Sequence, residues 1–290
     1  MNLTPTPFIT YHETEPSEDL RPYILKFYNV FGYTSTVCPM VEKTLPNGYT
    51  SLVFHFKKKI GVSNVDYDGQ DIPQSYVFGK YTKLIEVYHA YGAADTFGMI
   101  FQPGAFRHLV PENQQQFTDK LYHVCDVLGK GFWPYYHQLE DSSFHHWAFN
   151  PQSILYRRKK IMEEYLFKNL ILSDSSQKFV DKVLEDILLN PVGIHLKGLS
   201  RKYAVSPQYL NRLFNRKVGL SVYKYARIIR FNQLIRSFDS IPNEDLLQLA
   251  TDFEYHDISH LVKEFKHFTG DRPSEFLRTT NKLARFLLHQ

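Results

Sequence analysis

The residues best suited to chemistry in this chain are polar side chains that recur along one face of the segment 206–219. Ser206 and Pro207 are a favourable N-cap and first helical residue, and Gly219 is a favourable C-cap, so the sequence predicts a helix between them. The apolar stripe of this helix consists of Leu210, Leu213 and Phe214. The opposite face carries side chains that can pair with base edges, namely Gln208, Asn211 and Arg212, and cations suited to phosphates, namely Arg216 and Lys217.

A second copy of this pattern follows about fifty residues later. Segments 199–203 and 246–250 are predicted helices, each joined by a tight turn to a capped helix, which is the arrangement of a helix-turn-helix. In the second copy Asp257 is the predicted cap, and the inward residues are Leu261, Phe265 and Phe268. Its predicted base-reading residues are Ser259, His260 and Lys263, and its predicted phosphate contact is Lys266. A helical hairpin with a solvated polar face explains one copy, but the repetition favours nucleic-acid binding.

The segment 221–238 joins the two copies and is predicted to be one helix. At 1.5 Å per residue it is a rod of about 27 Å. Two helices that enter successive major grooves on one face of DNA must lie about 34 Å apart. The sequence therefore predicts a connector that holds two reading helices near this separation.

Both copies resemble the two helix-turn-helix units of the AraC/XylS transcriptional regulators. The first reads LSRKYAVSPQYLNRLFNRKVGLS, and the second reads LATDFEYHDISHLVKEFKHFTGDRPSEF, with the family's D-x-S-H, F-K and T-G-x-x-P-S-E-F elements. The resemblance implies a regulator that binds double-stranded DNA and senses an effector or dimerises through an N-terminal domain. It leaves open a small-molecule effector, contact with RNA polymerase and a homodimer.

The chain departs from the family pattern in both turns and at the start of the second reading helix. Ala204 and Glu254 stand where the family often has Gly, and a non-Gly residue in a left-handed conformation costs about 1 kcal/mol, so strained turns are expected. Ile258 replaces a usual polar residue, and Lys263 replaces a common Arg. These departures predict that the second unit reads fewer bases and relies more on phosphates.

The chain before the first copy has the pattern of an antiparallel β protein. Alternating or apolar runs bounded by turns lie at 52–56, 75–78, 83–91 and 96–101, and predict a small barrel or a sandwich. Residues 1–15 are a polar lead-in, 20–28 is a short helix or strand, and 152–172 is a helix. An F-x-P-G strand end at 101–104 also resembles a group of AraC-type regulators with a β-rich N-terminal domain. The predicted class is α+β, with a domain 1–172, a linker at 172–177 and an all-α domain 178–290.

Composition and charge fit this division. The chain has 290 residues and a net charge of +4, but residues 195–290 hold 16 Lys/Arg and 9 Asp/Glu, which gives the C-terminal third a charge of +7. A basic end on a mildly acidic body favours nucleic-acid binding. No apolar run of about eighteen residues and no signal sequence is seen, so no membrane partner and a cytoplasmic protein are expected.

A search for catalytic and metal-binding residues yields no candidate. His55 and His89 lack the His-x-His spacing of a metal-bearing cupin barrel, and His145 and His146 are adjacent. Cys38 and Cys125 are expected to be reduced and structural. No cofactor and no enzyme activity are predicted. The alternatives are an enzyme or metal-dependent barrel fused to a DNA-binding domain, and an adaptor whose N-terminal domain binds only protein. The run RRKK at 157–160 is either a solvated face or a nucleic-acid patch.

Overall fold

The computed structural model describes residues 8–34, 40–56, 60–63, 72–89, 92–142, 150–171, 175–238 and 246–278. Up to residue 171 these ranges form a β-rich region, and from residue 175 they form a helical region. The predicted α+β class is therefore confirmed. Cys38, His145 and His146 lie outside the described residues.

The described strands of the β-rich region are β1 (Phe8–Thr14), β2 (Ile24–Thr34), β3 (Met40–Thr44), β4 (Ser51–His55), β5 (Ile60–Val62), β6 (Ser75–Phe78), β7 (Ile85–His89), β8 (Gly92–Phe101) and β9 (Leu121–His123). They pair antiparallel in two sheets, one in the order β1-β2-β8-β4-β6-β9 and one in the order β3-β7-β5. The described strands therefore form two antiparallel sheets, and the choice between a barrel and a sandwich stays a prediction.

The larger sheet has buried side chains on both faces. Successive side chains of a strand point to opposite sides, so one strand supplies both. Phe97, Met99 and Phe101 of β8 enter the main core of the region, whereas Ile100 enters a smaller core on the other face. The main core is covered by α1 (Val124–Leu128), α2 (Trp133–Asp141) and α3 (Pro151–Asn169), which contribute buried residues such as Leu139. The sheet is thus enclosed by helices on one side.

Arg158 of α3, the second residue of the run 157–160, is buried. Its guanidinium forms two parallel bonds to Asp95 of β8, at 2.7 and 2.9 Å, and its Nε donates to Ser142 Oγ at 3.0 Å. The cation also lies 4.1 Å from the centre of the Phe56 ring. This residue therefore fits neither a solvated face nor a nucleic-acid patch, because it links α3 to the sheet.

One prediction about local structure needs correction, and one helix was missed. Residues 8–14 form β1, an edge strand paired with β2, although they were expected in a polar lead-in. The segment 20–28, predicted as a short helix or strand, contains the end of a short 3₁₀ turn, Glu18–Leu20, and the start of strand β2. The helix α2 was not predicted. Its hydrophobic pattern is weak, because Leu139 is the one side chain of this helix that is fully buried.

The helical region consists of α4 (Ser175–Leu189), α5 (Leu196–Lys202), α6 (Pro207–Val218), α7 (Val222–Phe238), α8 (Leu246–Asp252), α9 (Ile258–Thr269) and α10 (Pro273–Arg278). They share one core in which Phe214, Phe231 and Phe265 are fully buried. The helix α4 begins inside the predicted linker, whose residues 172–174 lie outside the described ranges, and the division into two domains stays a prediction. No helix among the described residues has the length and apolar character needed to cross a bilayer.

The segment 45–50, between β3 and β4, packs against the connecting helix α7. Leu45 is 1% exposed and belongs to the core of the helical region. The backbone of Gly48 lies so close to the Tyr225 ring that a Cβ there would be 2.9 Å from it, and 3.2 Å from Ile229. The β-rich region therefore contributes to the packing of the helical region.

Two further contacts join the β-rich region to the C-terminal ends of α6 and α9. Thr118 Oγ1 donates to the carbonyl of Gly219, the residue that ends α6, at 2.6 Å. Lys43 of β3 forms a 2.5 Å ion pair with Asp271, which directly follows Gly270, the residue that ends α9. Both helix ends are thus fixed to the same region of the chain.

Candidate nucleic-acid interface

The units α5–α6 and α8–α9 are built alike, and we call α6 and α9 the reading helices. Ser206 Oγ accepts a hydrogen bond from the Tyr209 N–H at 3.1 Å, and Asp257 Oδ1 accepts one from the His260 N–H at 2.7 Å. Each side chain satisfies a donor that the first turn leaves free. Each helix ends at a left-handed glycine, twelve residues after it begins. The N-caps of both reading helices and the C-cap of α6 are as predicted.

Both turns contain a left-handed residue that is not glycine. Ala204 has φ 52° and Glu254 has φ 51°, so the strain expected at these positions is present. In each turn the following N–H reaches back five residues, from Val205 to Ser200 at 3.0 Å and from Tyr255 to Ala250 at 2.8 Å. These bonds satisfy a carbonyl at the end of the first helix and fix the angle at which each reading helix leaves the turn.

On α6 the structure brings together three of the five predicted contacts. Gln208, Arg212 and Arg216 are exposed on one face. Asn211 is half-buried, and its Oδ1 accepts a hydrogen bond from the Val222 N–H at 3.2 Å, so it caps α7. Lys217 is half-buried on the side of the β-rich region, near His108, whose pKa is lowered mainly by burial, then by the charge of Arg107 and to a smaller extent by that of Lys217. Base reading by Asn211 and phosphate binding by Lys217 stay predictions, although both side chains lie away from the exposed face.

On α9 the predicted contacts are all exposed, but one has internal partners. Ser259, Lys263 and Lys266 lie on the open face of the helix. His260 Nδ1 accepts a hydrogen bond from the His256 N–H at 3.4 Å, and its ring lies edge-on to Tyr255 at 5.4 Å. The imidazole therefore folds back over the turn rather than extending outward.

A buried carboxylate that sequence reasoning missed fixes α9 to the connector. Glu264 is 4% exposed and accepts bonds from Arg227 Nε at 2.6 Å, Arg230 Nη2 at 3.2 Å and Tyr255 Oη at 3.0 Å. A charged residue inside the apolar stripe of α9 was the available signal. The helix α7 has 17 residues and a length of about 26 Å, close to the predicted rod. The ion pairs of Arg227 and Arg230 with Glu264 orient α9 on this rod.

Two apolar side chains also lie on the exposed parts of the reading helices. Tyr209 of α6 is 43% exposed, and Ile258, the first residue of α9, is 38% exposed. Tyr209 was not among the predicted contacts. Apolar side chains left open to water on a predicted contact surface are candidates for contact with a partner.

Cys125 and His55 of the β-rich region are both buried, and neither is activated for chemistry. Burial, followed by the nearby Asp126 and Glu140 carboxylates, raises the pKa of the Cys125 thiol to about 11, opposite to the shift of an activated nucleophile. His55 is buried, with its ring nitrogens 2.8 Å from Thr96 Oγ1 and 3.0 Å from Tyr76 Oη, as in a satisfied core histidine. Within the described ranges no three His, Cys, Asp or Glu side chains converge on a metal-sized site.

Comparison with known proteins matches both regions of the chain. Residues 199–279 match a family described as a helix-turn-helix domain, and residues 12–123 match a domain of unknown function, DUF6597. The Msm operon regulatory protein of Streptococcus mutans is 24% identical over 118 residues. These matches support an AraC/XylS family regulator with an N-terminal domain. The match to the Streptococcus protein covers 40% of this chain and 42% of the relative, less than half the length of either protein.

Two solved structures are similar at low identity. ToxT from Vibrio cholerae has a TM-score of 0.46 and 11% identity, over 87% of this chain and 97% of that one. The AraC-like transcriptional activator CuxR has a TM-score of 0.28 and 10% identity, over 80% of this chain and 95% of that one. At such scores neither likeness bears on the ligands or partners of this chain.

Proposed function

We propose that this chain is a sequence-specific DNA-binding transcriptional regulator that reads two successive major-groove half-sites and is modulated through its β-rich region. The observation that carries the proposal is the repetition of one unit, with a capped reading helix, a glycine end and an exposed polar face in each copy. The cytoplasmic location predicted from the sequence belongs to the same proposal, because its partner is DNA.

The exposed side chains on the reading helices support this function. On α6 they are Gln208, Arg212 and Arg216, and on α9 they are Ser259, Lys263 and Lys266. Arginine pairs bidentately with guanine, glutamine with adenine, and serine with either donors or acceptors, while the outer cations neutralise phosphates. The surface thus combines groups that distinguish bases with groups that position the protein.

The connector supports the reading of two half-sites by one chain. The helix α7 is about 26 Å long and is fixed to α9 through Glu264. Two reading helices on a rod of this length lie near the separation of successive grooves, with DNA bending to complete the fit.

Contacts between the two regions support modulation. Segment 45–50 packs on α7, and Thr118 and Lys43 contact the ends of the reading helices. A change in the β-rich region therefore has a route to both units. The effector, the use of RNA polymerase and the oligomeric state stay predictions from the family resemblance.

The test is selection of binding sites from a random duplex library by the full-length protein, read by sequencing. We expect a motif with two informative blocks about ten base pairs apart, one per reading helix. Insertion of five base pairs between the blocks rotates them by about half a turn and should abolish simultaneous reading. A folded protein that enriches no motif would contradict sequence-specific binding, and a single block would contradict the reading of two half-sites.

A further inference from the structure

The second reading helix begins with an apolar side chain that remains open to water. Ile258 follows the cap residue Asp257 directly and is 38% exposed. Leu261, Phe265 and Phe268 turn inward from the same helix and are buried, so the core of the unit does not need Ile258. The exposed part of this isoleucine gains no burial free energy in the unbound protein, but gains it if a partner covers the side chain.

The neighbours of Ile258 restrict what that partner is. Ser259 and Lys263 are exposed on the same reading helix and present a hydroxyl and an ammonium group. His260 turns back, since its Nδ1 accepts from the His256 N–H and its ring packs on Tyr255. The start of α9 therefore offers one apolar group beside two polar ones. A hydrophobic protein partner would not suit the two polar groups, whereas a DNA groove suits all three.

Thymine is the base that matches an apolar side chain at the start of a reading helix. In the major groove it presents a 5-methyl group, whereas the other bases present hydrogen-bond donors and acceptors that isoleucine would leave unpaired. The N-terminal residues of a reading helix are those that contact base edges. We propose that Ile258 is a specificity-determining residue that reads the methyl group of a thymine in the second half-site. The inference rests on the proposed DNA-binding function, and it gives the second unit a base contact that the sequence pattern did not predict.

The experiment removes the methyl group from the thymine side of the contact and the apolar side chain from the protein side. Each thymine of the second block of the selected site is replaced in turn by deoxyuridine, which lacks only the 5-methyl group, and Kd is measured for the full chain at fixed salt. At one position the wild-type protein should bind about fourfold more weakly, the factor expected for one apolar carbon removed from a contact. Ile258→Ala should weaken binding to the thymine duplex by at least that factor and show no further loss with deoxyuridine.

Two control variants test whether the effect is specific. Leu247→Ala alters a leucine of α8 that is 61% exposed, and should keep the fourfold discrimination. Ser259→Ala should lower affinity and also keep it. The melting temperature of Ile258→Ala should match that of the wild type, because the side chain is outside the core.

Three results would overturn the inference: discrimination between thymine and deoxyuridine that persists in Ile258→Ala, an absence of any deoxyuridine effect in the wild type, and a selected second block without thymine. If Ile258→Ala instead impairs capture of a protein while its DNA affinity is unchanged, the residue serves a protein contact and the inference is also wrong. A wild-type protein that binds no duplex would contradict the proposed function itself. That outcome can be told apart from a failure of the Ile258 inference alone, because the comparisons with deoxyuridine require a wild-type protein whose Kd for DNA can be measured.

Discussion

Arg212 lies on the exposed face of α6, between Gln208 and Arg216. Arg212→Ala should weaken binding to the selected site by about 1–3 kcal/mol and relax the preference at one base step, because the predicted bidentate contact to guanine is lost. Selection with the variant checks both effects. Arg157→Ala, which removes an exposed arginine of α3, is the matched control and should leave the motif unchanged. An unaltered motif in Arg212→Ala would show that this side chain does not read a base.

The pH dependence of stability should reflect Lys80, which is buried with its Nζ donating to Thr50 Oγ1 at 3.1 Å. Burial, and secondly the charge of Arg107, lower the pKa of Lys80 to about 7, against about 10.4 in an unfolded chain. From pH 7 upward the folded chain therefore binds fewer protons at this residue than the unfolded chain, and this residue makes stability rise with pH.

We expect the free energy of unfolding to increase by up to about 1.5 kcal/mol between pH 7 and 8.5, as measured in urea. The window ends there because Cys125, whose pKa is raised to about 11 in the fold, ionises first in the unfolded chain above its ordinary pKa and then lowers stability. The Lys80→Met protein should be more stable than the wild type at pH 7. Its free energy of unfolding should lack the part of the increase between about pH 7 and 8.5 that Lys80 supplies. An identical slope in the variant would exclude Lys80 as its source.

At the residue scale, helical periodicity predicted which side chains of α9 turn inward, but it could not reveal what covers the flanks of α6. Asn211 and Lys217 have the same polar character as Gln208 and Arg216. They differ because α7 and the β-rich region lie beside them. These neighbours are distant in the sequence or lie beyond a turn, so the residue types of α6 do not reveal them.

The packing of α9 on α7 depends on the polar contacts of one buried side chain, Glu264. Glu264→Ala would leave Arg227, Arg230 and Tyr255 without their shared acceptor, and should destabilise the protein by about 3 kcal/mol. Urea unfolding measures this loss. Glu185→Ala removes an exposed carboxylate of α4 and should change stability by less than about 0.5 kcal/mol. Equal effects of the two substitutions would mean that the buried network does not stabilise the fold.

At the scale of elements, α6 and α9 were predicted closely because each has a cap, an amphipathic stripe and a terminal glycine. The strand β1 was missed because an edge strand needs little apolar surface, and most of its side chains are not fully buried. Leu213 was also overestimated as a core residue. It is half-buried, whereas Leu210 and Phe214 are 1% and 0% exposed. The cost of truncating a core residue therefore applies to Phe214 more than to Leu213.

The contact between the two regions of the molecule can be tested through three glycines. Gly219 has φ 97°, and a Cβ there would lie 2.9 Å from the carbonyl oxygen of Gln114, so Gly219→Ala should cost several kcal/mol. Gly270→Ala, at φ 77°, would meet a Leu84 methyl group at 3.1 Å and should cost about 1 kcal/mol, mainly from backbone strain. Gly198→Ala in α5 meets no atom within 4 Å and should stabilise by about 0.5–1 kcal/mol. Thermal unfolding that ranks Gly219→Ala no lower than Gly270→Ala would argue against the contact.

At the scale of the whole molecule, the sequence indicated two regions but not their contact. The bond between Thr118 and Gly219 joins residues 101 apart, and the bond between Lys43 and Asp271 joins residues 228 apart. The order of strands in the sheets is equally non-local. Composition and periodicity describe short segments, so contacts of this kind leave no readable pattern in one sequence.

The attachment of both glycine ends to the β-rich region has a consequence for avidity. In the proposed binding to two half-sites, once one reading helix occupies its groove, the other samples the second groove at an effective concentration set by how rigidly the two are joined. Contacts at Gly219 and Asp271 restrict the freedom that a connector alone would leave. A rigid pair has a high effective concentration at one spacing of the half-sites and almost none at others. On this proposal, the tolerance of the protein for altered half-site spacing is set as much by the β-rich region as by the connecting helix.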